Sequence, residues 1–301
     1  MRGTKFVSLL AQGVEALVFV CLGLGAAPIW EEEFDDGVPL NQKYEDTAAS
    51  GMSQTTVSPL TGTHSLQQQY SSGQVDAGWV IKWLDHLGQD GPVFMRWYHM
   101  FEAGFEGFPP KMARIRYRNR STWHSPMEIH CWLDTSAAFG GTVNVDVKAE
   151  HSSQANSSGW LAVVRSDFSF ANPANLGRWV CFEMEVRLNT PGQSNGWYRL
   201  WIDNELKVER MDVDLRGSQT YGLNEAALDC YWNGGSPKVQ SRFYDSFVIS
   251  LERVGLLPPD NLPPVLAPIG NKSVPAGQQL EFSVEASDAD GDELQYSAEG
   301  E

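Results

Sequence analysis

The sequence has little positive charge, few cysteines and no long helical periodicity. Its 301 residues include 22 Lys+Arg against 38 Asp+Glu, a formal net charge of −16, and only four cysteines. This acidic balance argues against nucleic acid as a partner. The cysteines form no CxxC or Cys/His spacing, which excludes the common zinc-site patterns. Because helical patterns are absent, β structure is the expected class.

What the chain does contain is many short alternating runs, separated by Gly, Asn, Asp, Ser and Pro. Hydrophobic residues make up 42% of the sequence, enough for a packed core, and there are eleven tryptophans. The number and spacing of the runs predict an all-β protein, an antiparallel jelly-roll sandwich. The predicted strands are residues 65–70, 78–83, 93–103, 111–118, 127–133, 142–148, 159–165, 178–188, 196–202, 206–213, 228–232 and 242–251.

The first 27 residues are typical of a signal peptide. Arg2 and Lys5 precede an apolar run at 17–24, which ends in small residues suited to cleavage. A single membrane anchor is the alternative, but Glu15 interrupts the segment and leaves the run too short to span a bilayer comfortably. We therefore expect a secreted or cell-surface protein with no membrane span after cleavage.

Cleavage of the signal peptide would leave three cysteines in the mature protein, Cys131, Cys181 and Cys230. One disulfide and one free thiol are then possible, and the sequence does not select the pair.

The remaining chain divides at a proline-rich stretch. Residues 28–255 form the predicted jelly-roll domain, 256–264 a linker, and 265–301 the beginning of a further β module. The segment from Asn261 to Phe282 is similar to the cadherin-like, immunoglobulin-like repeats of exported bacterial proteins. Within this module, alternate carboxylates could bind Ca²⁺ or form only an acidic turn, and no other cofactor is expected. These carboxylates are Asp288, Asp290 and Asp292.

Positive and negative residues are unevenly distributed along the chain. Residues 91–200 contain eleven Lys/Arg and nine Asp/Glu, a local balance of +2. Strand alternation places Arg114, Arg116 and Arg118 on one face, away from the core. If the central strands share one sheet, its polar face combines cations, a histidine and tryptophans. The ordinary alternative is a solvated face with cross-strand Arg–Glu pairs.

Such a combination suits an anionic polysaccharide, because Arg pairs with carboxylates and aromatic faces contact sugar rings. In the strand at 93–103, either Arg96 and Tyr98 or Trp97 and His99 could face solvent. The expected substrate-binding residues are Arg96, Arg114, Arg116, Glu128, Trp132, Lys148, Glu183, Arg199 and Trp201.

One segment, GRWVCFEMEVRLNTPGQSNGWYRLWIDNE at 177–205, resembles a pattern of concanavalin-like, jelly-roll polysaccharide lyases. These are the alginate-lyase-like family 14 and the glucuronan lyase family 20. Asn204 stands where these families usually have Gly, and the order of parts is similar over residues 30–252. The matching residues are Trp179, Glu183, Val186, Leu188, Asn189, Thr190, Pro191, Gly192, Gly196, Trp201 and Asp203.

This resemblance implies β-elimination from a uronic acid polymer. A cation neutralises the substrate carboxylate, a base removes the adjacent proton, and an acid protonates the leaving oxygen. Lys111 resembles the family lysine, Arg116 or Arg118 the arginine, and Trp123 the tryptophan.

The sequence departs from the family at its E-x-Y-x-Y motif. Glu128 matches the glutamate, but the two tyrosine positions hold His130 and Trp132, and Pro109-Pro110 replaces a Gly-Gly pair. His130 could then act as base, and Tyr98 or Tyr117 would supply the acid. The expected catalytic residues are His130, Lys111, Arg118 and Tyr98.

The sequence thus favours an exported, lyase-like protein that acts on anionic polysaccharide. Two alternatives remain open: a non-catalytic carbohydrate-binding or adhesion module with the same fold, and a structural surface protein in which the jelly roll is one bead of a longer chain.

Overall fold

A computed structural model of the chain describes residues 27–48, 51–89 and 91–257, with short stretches nearer the termini (4–6, 9–11, 14–16, 265–267, 272–273, 275, 282–287 and 293–295). Two compact units are present. One is Pro28–Leu256, and the other combines Met1–Ala27 with Leu257–Glu301. Asp288, Asp290 and Asp292, the predicted calcium ligands, lie outside the described residues.

The described chain is composed of strands, one short α-helix, α1 (Leu40–Lys43), and one 3-10 turn (Pro173–Asn175). The strands are β1 (Thr4–Phe6), β2 (Leu9–Ala11), β3 (Val14–Ala16), β4 (Trp30–Glu32), β5 (Asp46–Ala48), β6 (Met52–Thr55), β7 (Ser65–Tyr70), β8 (Trp79–Leu87), β9 (Val93–Phe101), β10 (Lys111–Asn119), β11 (His124–Leu133), β12 (Thr142–Ala149), β13 (Val164–Ser169), β14 (Val180–Arg187), β15 (Gly196–Ile202), β16 (Glu205–Val213), β17 (Leu223–Asp229), β18 (Gln240–Ser250), β19 (Val265–Leu266), β20 (Ala286–Ser287) and β21 (Glu293–Gln295).

Within Pro28–Leu256, two antiparallel sheets pack face to face. Sheet A has seven strands in the order β13-β12-β11-β10-β17-β8-β5. Sheet B has eight, in the order β16-β15-β14-β9-β18-β7-β6, with β4 also pairing with β18. Strands distant in sequence, such as β10 and β17, are neighbours, as expected for a jelly roll. The predicted all-β jelly-roll fold is confirmed.

In the terminal unit, short strands form three separate pairs. β1 pairs in parallel with β21, β2 with β3 as a hairpin, and β19 with β20 in antiparallel fashion.

Alternation along the strands sorts side chains between the core and the outer faces. On β11, Met127, Ile129, Cys131 and Leu133 are buried in the core, as predicted. The same pattern holds for the valines of β12 and for the alternate residues Phe182, Met184 and Val186 of β14 and Tyr198, Leu200 and Ile202 of β15. On β9 neither predicted pair faces solvent, because the whole strand is buried: Trp97 and His99 lie in the core, and Arg96 and Tyr98, on the other face, are 2% and 8% exposed.

Some predicted boundaries are wrong. The strand predicted at 159–165 begins only at Val164. Before it, the chain meets β12 in a single bridge between Trp160 and Lys148, flanked by backbone hydrogen bonds of Gly159 and Leu161. The strand predicted at 228–232 is β17, which begins earlier and ends at Asp229.

Cys131, Cys181 and Cys230 are all buried, unpaired thiols, so the possible disulfide does not form. Burial raises the pKa of each thiol, to about 12 for Cys181 and Cys230. These cysteines therefore act as small apolar residues rather than as reactive groups.

Candidate functional site

An open groove crosses the outer face of sheet A. One part, with a volume of about 800 Å³, lies over β10 to β13, and the other, of about 190 Å³, lies over β5, β8, β17 and β10. Lys111 and Tyr231 line both parts, so they stand where the two meet. Other lining residues are Asp46, Trp79, Phe108, Arg114, Arg118, Trp132, Asn144, Asp146, Arg165 and Asp229.

A β-bulge sets the position of Lys111. Lys111 is opposite Trp132 and Ala113 is opposite the next residue, Cys131, so Met112 is the extra residue in β10. By strict alternation Lys111 would share the core-facing side with Ala113. The bulge reverses this and turns Lys111 toward the groove. Its Nζ lies 4.7 Å from the centre of the Tyr231 ring.

The three arginines of β10 are paired with carboxylates of this chain. Arg114 contacts Asp229 at 3.1 Å, and Arg116 contacts Glu225 at 2.6 Å. Arg118 contacts Glu225 at 3.3 Å. Lys111, by contrast, forms no ion pair with any carboxylate in the described part of the chain. The positive charge available to a ligand is thus concentrated at Lys111, because the carboxylates of this chain largely neutralise the three arginines of β10.

Glu128 joins Arg116 to His130. Its Oε2 lies 3.2 Å from Arg116 Nη1 and 3.1 Å from His130 Nε2. Burial alone would raise the pKa of this carboxyl, but His130 and the guanidiniums of Arg116 and Arg114 lower it to about 2. The carboxylate is therefore fully ionised at neutral pH and fixes both neighbours.

His130 lies beneath the groove rather than at its surface. It is 4% exposed, and its ring lies 4.4 Å from that of Trp132 and 5.8 Å from that of Trp160, centre to centre. Burial lowers the pKa of the imidazole, although Glu128 acts in the opposite direction. Nε2 faces Glu128, while Nδ1 is buried without a hydrogen-bond partner. In this conformation a substrate in the groove does not reach His130.

A buried arginine of sheet B contacts the backbone of groove residues from the core side of sheet A. Arg242 on β18 is fully buried between the sheets and donates a hydrogen bond to the Lys111 carbonyl at 2.8 Å. It also donates to the Asp229 carbonyl and to Gln68 Oε1. Its guanidinium therefore fixes the backbone of two residues that line the groove. Arg242 is not among the site residues predicted from the sequence, because nothing local distinguishes it from a surface arginine.

Five predicted site residues lie on sheet B, on the far side of the sandwich from the groove. The premise that all the central strands share one sheet is wrong. Alternation separates core-facing from outward-facing side chains but does not assign strands to sheets. The residues are Arg96 and Tyr98 on β9, Glu183 on β14, and Arg199 and Trp201 on β15.

On that face, the residues that follow β18 bind to the side chain of Glu183. The backbone N–H groups of Val254 and Gly255 donate to its carboxylate at 2.6 and 3.0 Å. The Arg253 guanidinium covers the Trp201 ring at 4.5 Å. Glu183 thus holds this protein's own chain rather than a ligand.

The other predicted residues lie near sheet A's outer face or its edge. Lys148 forms an ion pair with Glu150 at 2.7 Å, and Trp123 is 57% exposed at the turn between β10 and β11. Tyr117 stacks on Tyr221, with ring centres 4.1 Å apart. Neither Tyr98 nor Tyr117 lines the groove.

Tyr231 is one of the groove residues that the sequence did not predict. It follows β17, is 38% exposed, and its backbone N–H donates to Asp229 Oδ1 at 3.1 Å. No hydrogen bond of its hydroxyl to a described residue is present. Its position follows from the pairing of β17 with β10, which the sequence pattern does not reveal.

Within the described ranges, no cluster of three or more His, Cys, Asp or Glu side chains could hold a metal ion. The same ranges contain no helix long and apolar enough to cross a membrane.

A model of the polysaccharide lyase 14 family matches residues 130–246. No curated protein matches the sequence.

Solved structures with a similar fold include an endo-β-1,4-glucuronan lyase from the fungus Trichoderma reesei (TM-score 0.53, 13% identity, covering 75% of this chain and 96% of that one). A PL-14 alginate lyase from Aplysia kurodai has a TM-score of 0.55 at 12% identity, covering 75% of this chain and 100% of that one. Alginate lyase vAL-1 from Chlorella virus has a TM-score of 0.53 at 14% identity, covering 69% and 91%. At such identities the similarity shows the fold. Pro28–Leu256 is thus a jelly-roll domain of the type found in polysaccharide lyases.

Proposed function

We propose that this protein cleaves an anionic, uronic-acid-containing polysaccharide by β-elimination in the groove of sheet A. The observation that supports this most directly is Lys111, a cation without a carboxylate partner among the described residues, in the middle of an elongated groove. The similar structures named above are lyases of glucuronan and alginate, both polyuronates.

The reaction requires positive charge next to the substrate carboxylate. Removing the proton from the adjacent carbon places negative charge on that carboxylate, and a nearby cation stabilises it. Lys111 supplies this charge, with Arg114 and Arg118 lining the same part of the groove. Trp132 offers an indole face for contact with a sugar ring.

Arg116, Glu128 and His130 act as positioning residues in this proposal. Arg116 is 2% exposed and His130 4% exposed, so both lie below the surface that a polymer would touch. Through Glu128 they form a connected network of ion pairs and a hydrogen bond that holds the strand bearing Arg114 and Arg118. Their replacement should therefore affect stability before it affects substrate binding.

The test is the ultraviolet absorbance of the carbon–carbon double bond that β-elimination forms next to the carboxylate. Full-length protein is incubated with alginate, glucuronan and other polyuronates, beside a Lys111→Ala variant. Lys207→Ala is the matched control, because Lys207 lies on β16 of sheet B, where it pairs with Asp167 and Glu205. We expect absorbance to rise with wild type and Lys207→Ala and to stay flat with Lys111→Ala.

A carbohydrate-binding module is the second candidate, supported by the replacement of the family's two tyrosines by His130 and Trp132. Retention of wild type on an immobilised polyuronate, with no rise in absorbance, would favour binding over cleavage.

We further propose that residues 1–27 direct export and that Asp288, Asp290 and Asp292 bind Ca²⁺ in a cadherin-like repeat. The sequence patterns support both proposals. The mass of the exported protein would reveal cleavage. A Ca²⁺ titration of the full chain, with and without Asn at the three positions, would test the metal site.

A further inference from the structure

The titratable groups that line the groove differ in whether they form ion pairs or hydrogen bonds with other residues of the chain. Asp229 pairs with Arg114, and Asp134 pairs with Arg165 at 2.7 Å. Asp46 accepts a hydrogen bond from the Trp79 indole at 3.2 Å. Tyr231 differs, because its hydroxyl has no hydrogen bond to a described residue and its ring lies in the open groove.

The position of Tyr231 matters because of its neighbour. The ring centre lies 4.7 Å from Lys111 Nζ, the cation assigned to the substrate carboxylate. The proton lost in β-elimination is on the carbon bonded to that carboxylate. A group that transfers this proton must therefore lie beside the same cation.

Asp146 is the competing candidate, since burial raises the pKa of its carboxyl and it lines the groove. It lies on β12, however, two strands from the β10 strand that bears Lys111. Strands lie about 4.8 Å apart, which places the Asp146 backbone about 10 Å from β10. Tyr231 is the second residue after the end of β17, which is hydrogen-bonded to β10. Proximity to Lys111 therefore favours Tyr231.

We propose that Tyr231 is the proton-transfer residue of the lyase reaction, in place of the tyrosines that positions 130 and 132 lack. This inference rests on the proposed function. With its hydroxyl ionised, Tyr231 Oη takes the proton from the carbon next to the carboxylate. The C–H electron pair forms the double bond to the neighbouring carbon, and the bond from that carbon to the glycosidic oxygen breaks. The hydroxyl of Tyr231 then gives the same proton to this oxygen, so no co-reactant is consumed, while Lys111 remains charged throughout.

The test compares Tyr231→Phe with wild type on a polyuronate that the wild type cleaves. Tyr221→Phe is the matched control, because Tyr221 stacks on Tyr117 outside the groove. General acid–base catalysis contributes about 10²- to 10⁴-fold, so the absorbance rate should fall at least about 100-fold in Tyr231→Phe and stay near wild type in Tyr221→Phe. Retention on the immobilised polymer should be unchanged in both, which separates catalysis from binding.

Three results would overturn the inference. The first is a Tyr231→Phe variant that has the melting temperature of wild type and cleaves at the wild-type rate. This result would exclude Tyr231 as the proton-transfer residue but leave the proposed function intact. A loss confined to Asp146→Asn would assign proton transfer to Asp146 instead. A folded wild type that cleaves none of the polyuronates removes both the proposed function and this inference.

Discussion

Replacing Glu128 by glutamine should cost about 3 kcal/mol of folding stability at pH 7. Glu128 lies under the groove, in contact with His130 and Arg116 at 3.1 and 3.2 Å. These contacts lower the pKa of its carboxyl from the ordinary 4.5 to about 2. One pKa unit corresponds to about 1.4 kcal/mol, so the difference amounts to about 3 kcal/mol between the charged and neutral forms.

The sign of the pH dependence follows from the direction of this shift. Because the folded pKa lies below the unfolded one, the stabilisation is complete above pH 4.5 and is lost as the pH falls toward 2. Urea unfolding of wild type and Glu128→Gln, at pH 7 and at successively lower pH, measures this difference directly. The two proteins should converge in stability as the solution becomes acidic.

The matched control is Glu209→Gln, since Glu209 also pairs with an arginine, Arg199 at 2.8 Å, but lies on the exposed edge strand β16. Exposed ion pairs contribute less than about 1 kcal/mol, so this variant should unfold close to wild type. A Glu128→Gln variant as stable as wild type at pH 7, or a difference that does not shrink in acid, would refute the assignment of Glu128 as a buried, paired carboxylate.

Three further predictions concern other parts of the domain. Arg242→Met removes the side-chain donor to the Lys111 carbonyl and one of the two side-chain donors to the Asp229 carbonyl, so it should lower the unfolding free energy by about 1–3 kcal/mol and reduce cleavage; chemical denaturation and the absorbance assay measure these, and an unaltered midpoint would contradict the bridging role. Glu183→Gln weakens the hold on the chain after β18, so limited proteolysis should cut near Val254 sooner than in wild type, and an unchanged cleavage pattern would argue against that role. Trp132→Ala removes an indole face of the groove, so retention on polyuronate should fall by about tenfold, and undiminished retention would place the polymer elsewhere.

Alternation predicted the faces of the strands well, because one side of each strand is buried. On β11, the apolar residues lie in the core and Glu128, His130 and Trp132 lie on the other side, as the period of two requires. The fold class followed from the number of such runs.

The same pattern does not predict to which of the two sheets each strand belongs. β10 and β14 both show one apolar and one polar face, yet they belong to different sheets. Glu183 and Trp201 were therefore grouped with Lys111, although the sandwich core separates them. Which strands pair depends on contacts between residues far apart in sequence, and periodicity does not encode these.

The centre of the site depends on features that interrupt the pattern. Lys111 faces the groove only because a bulge at Met112 reverses the alternation. Tyr231 lies just beyond a strand, where the chain is irregular, and Arg242 acts through the core from the opposite sheet. The resemblance to polysaccharide lyases nevertheless predicted Lys111 as a site residue, and Lys111 lines the groove.

The mass of the cleavage products tests the central claim most directly. Elimination adds no water across the broken glycosidic bond, so one fragment of each cut should be lighter by one water than a hydrolysis product of the same length. We expect such unsaturated oligosaccharides from at least one polyuronate treated with full-length wild type, and none from Lys111→Ala. Saturated fragments from the wild type, or unsaturated fragments from a folded Lys111→Ala variant at the wild-type rate, would contradict it.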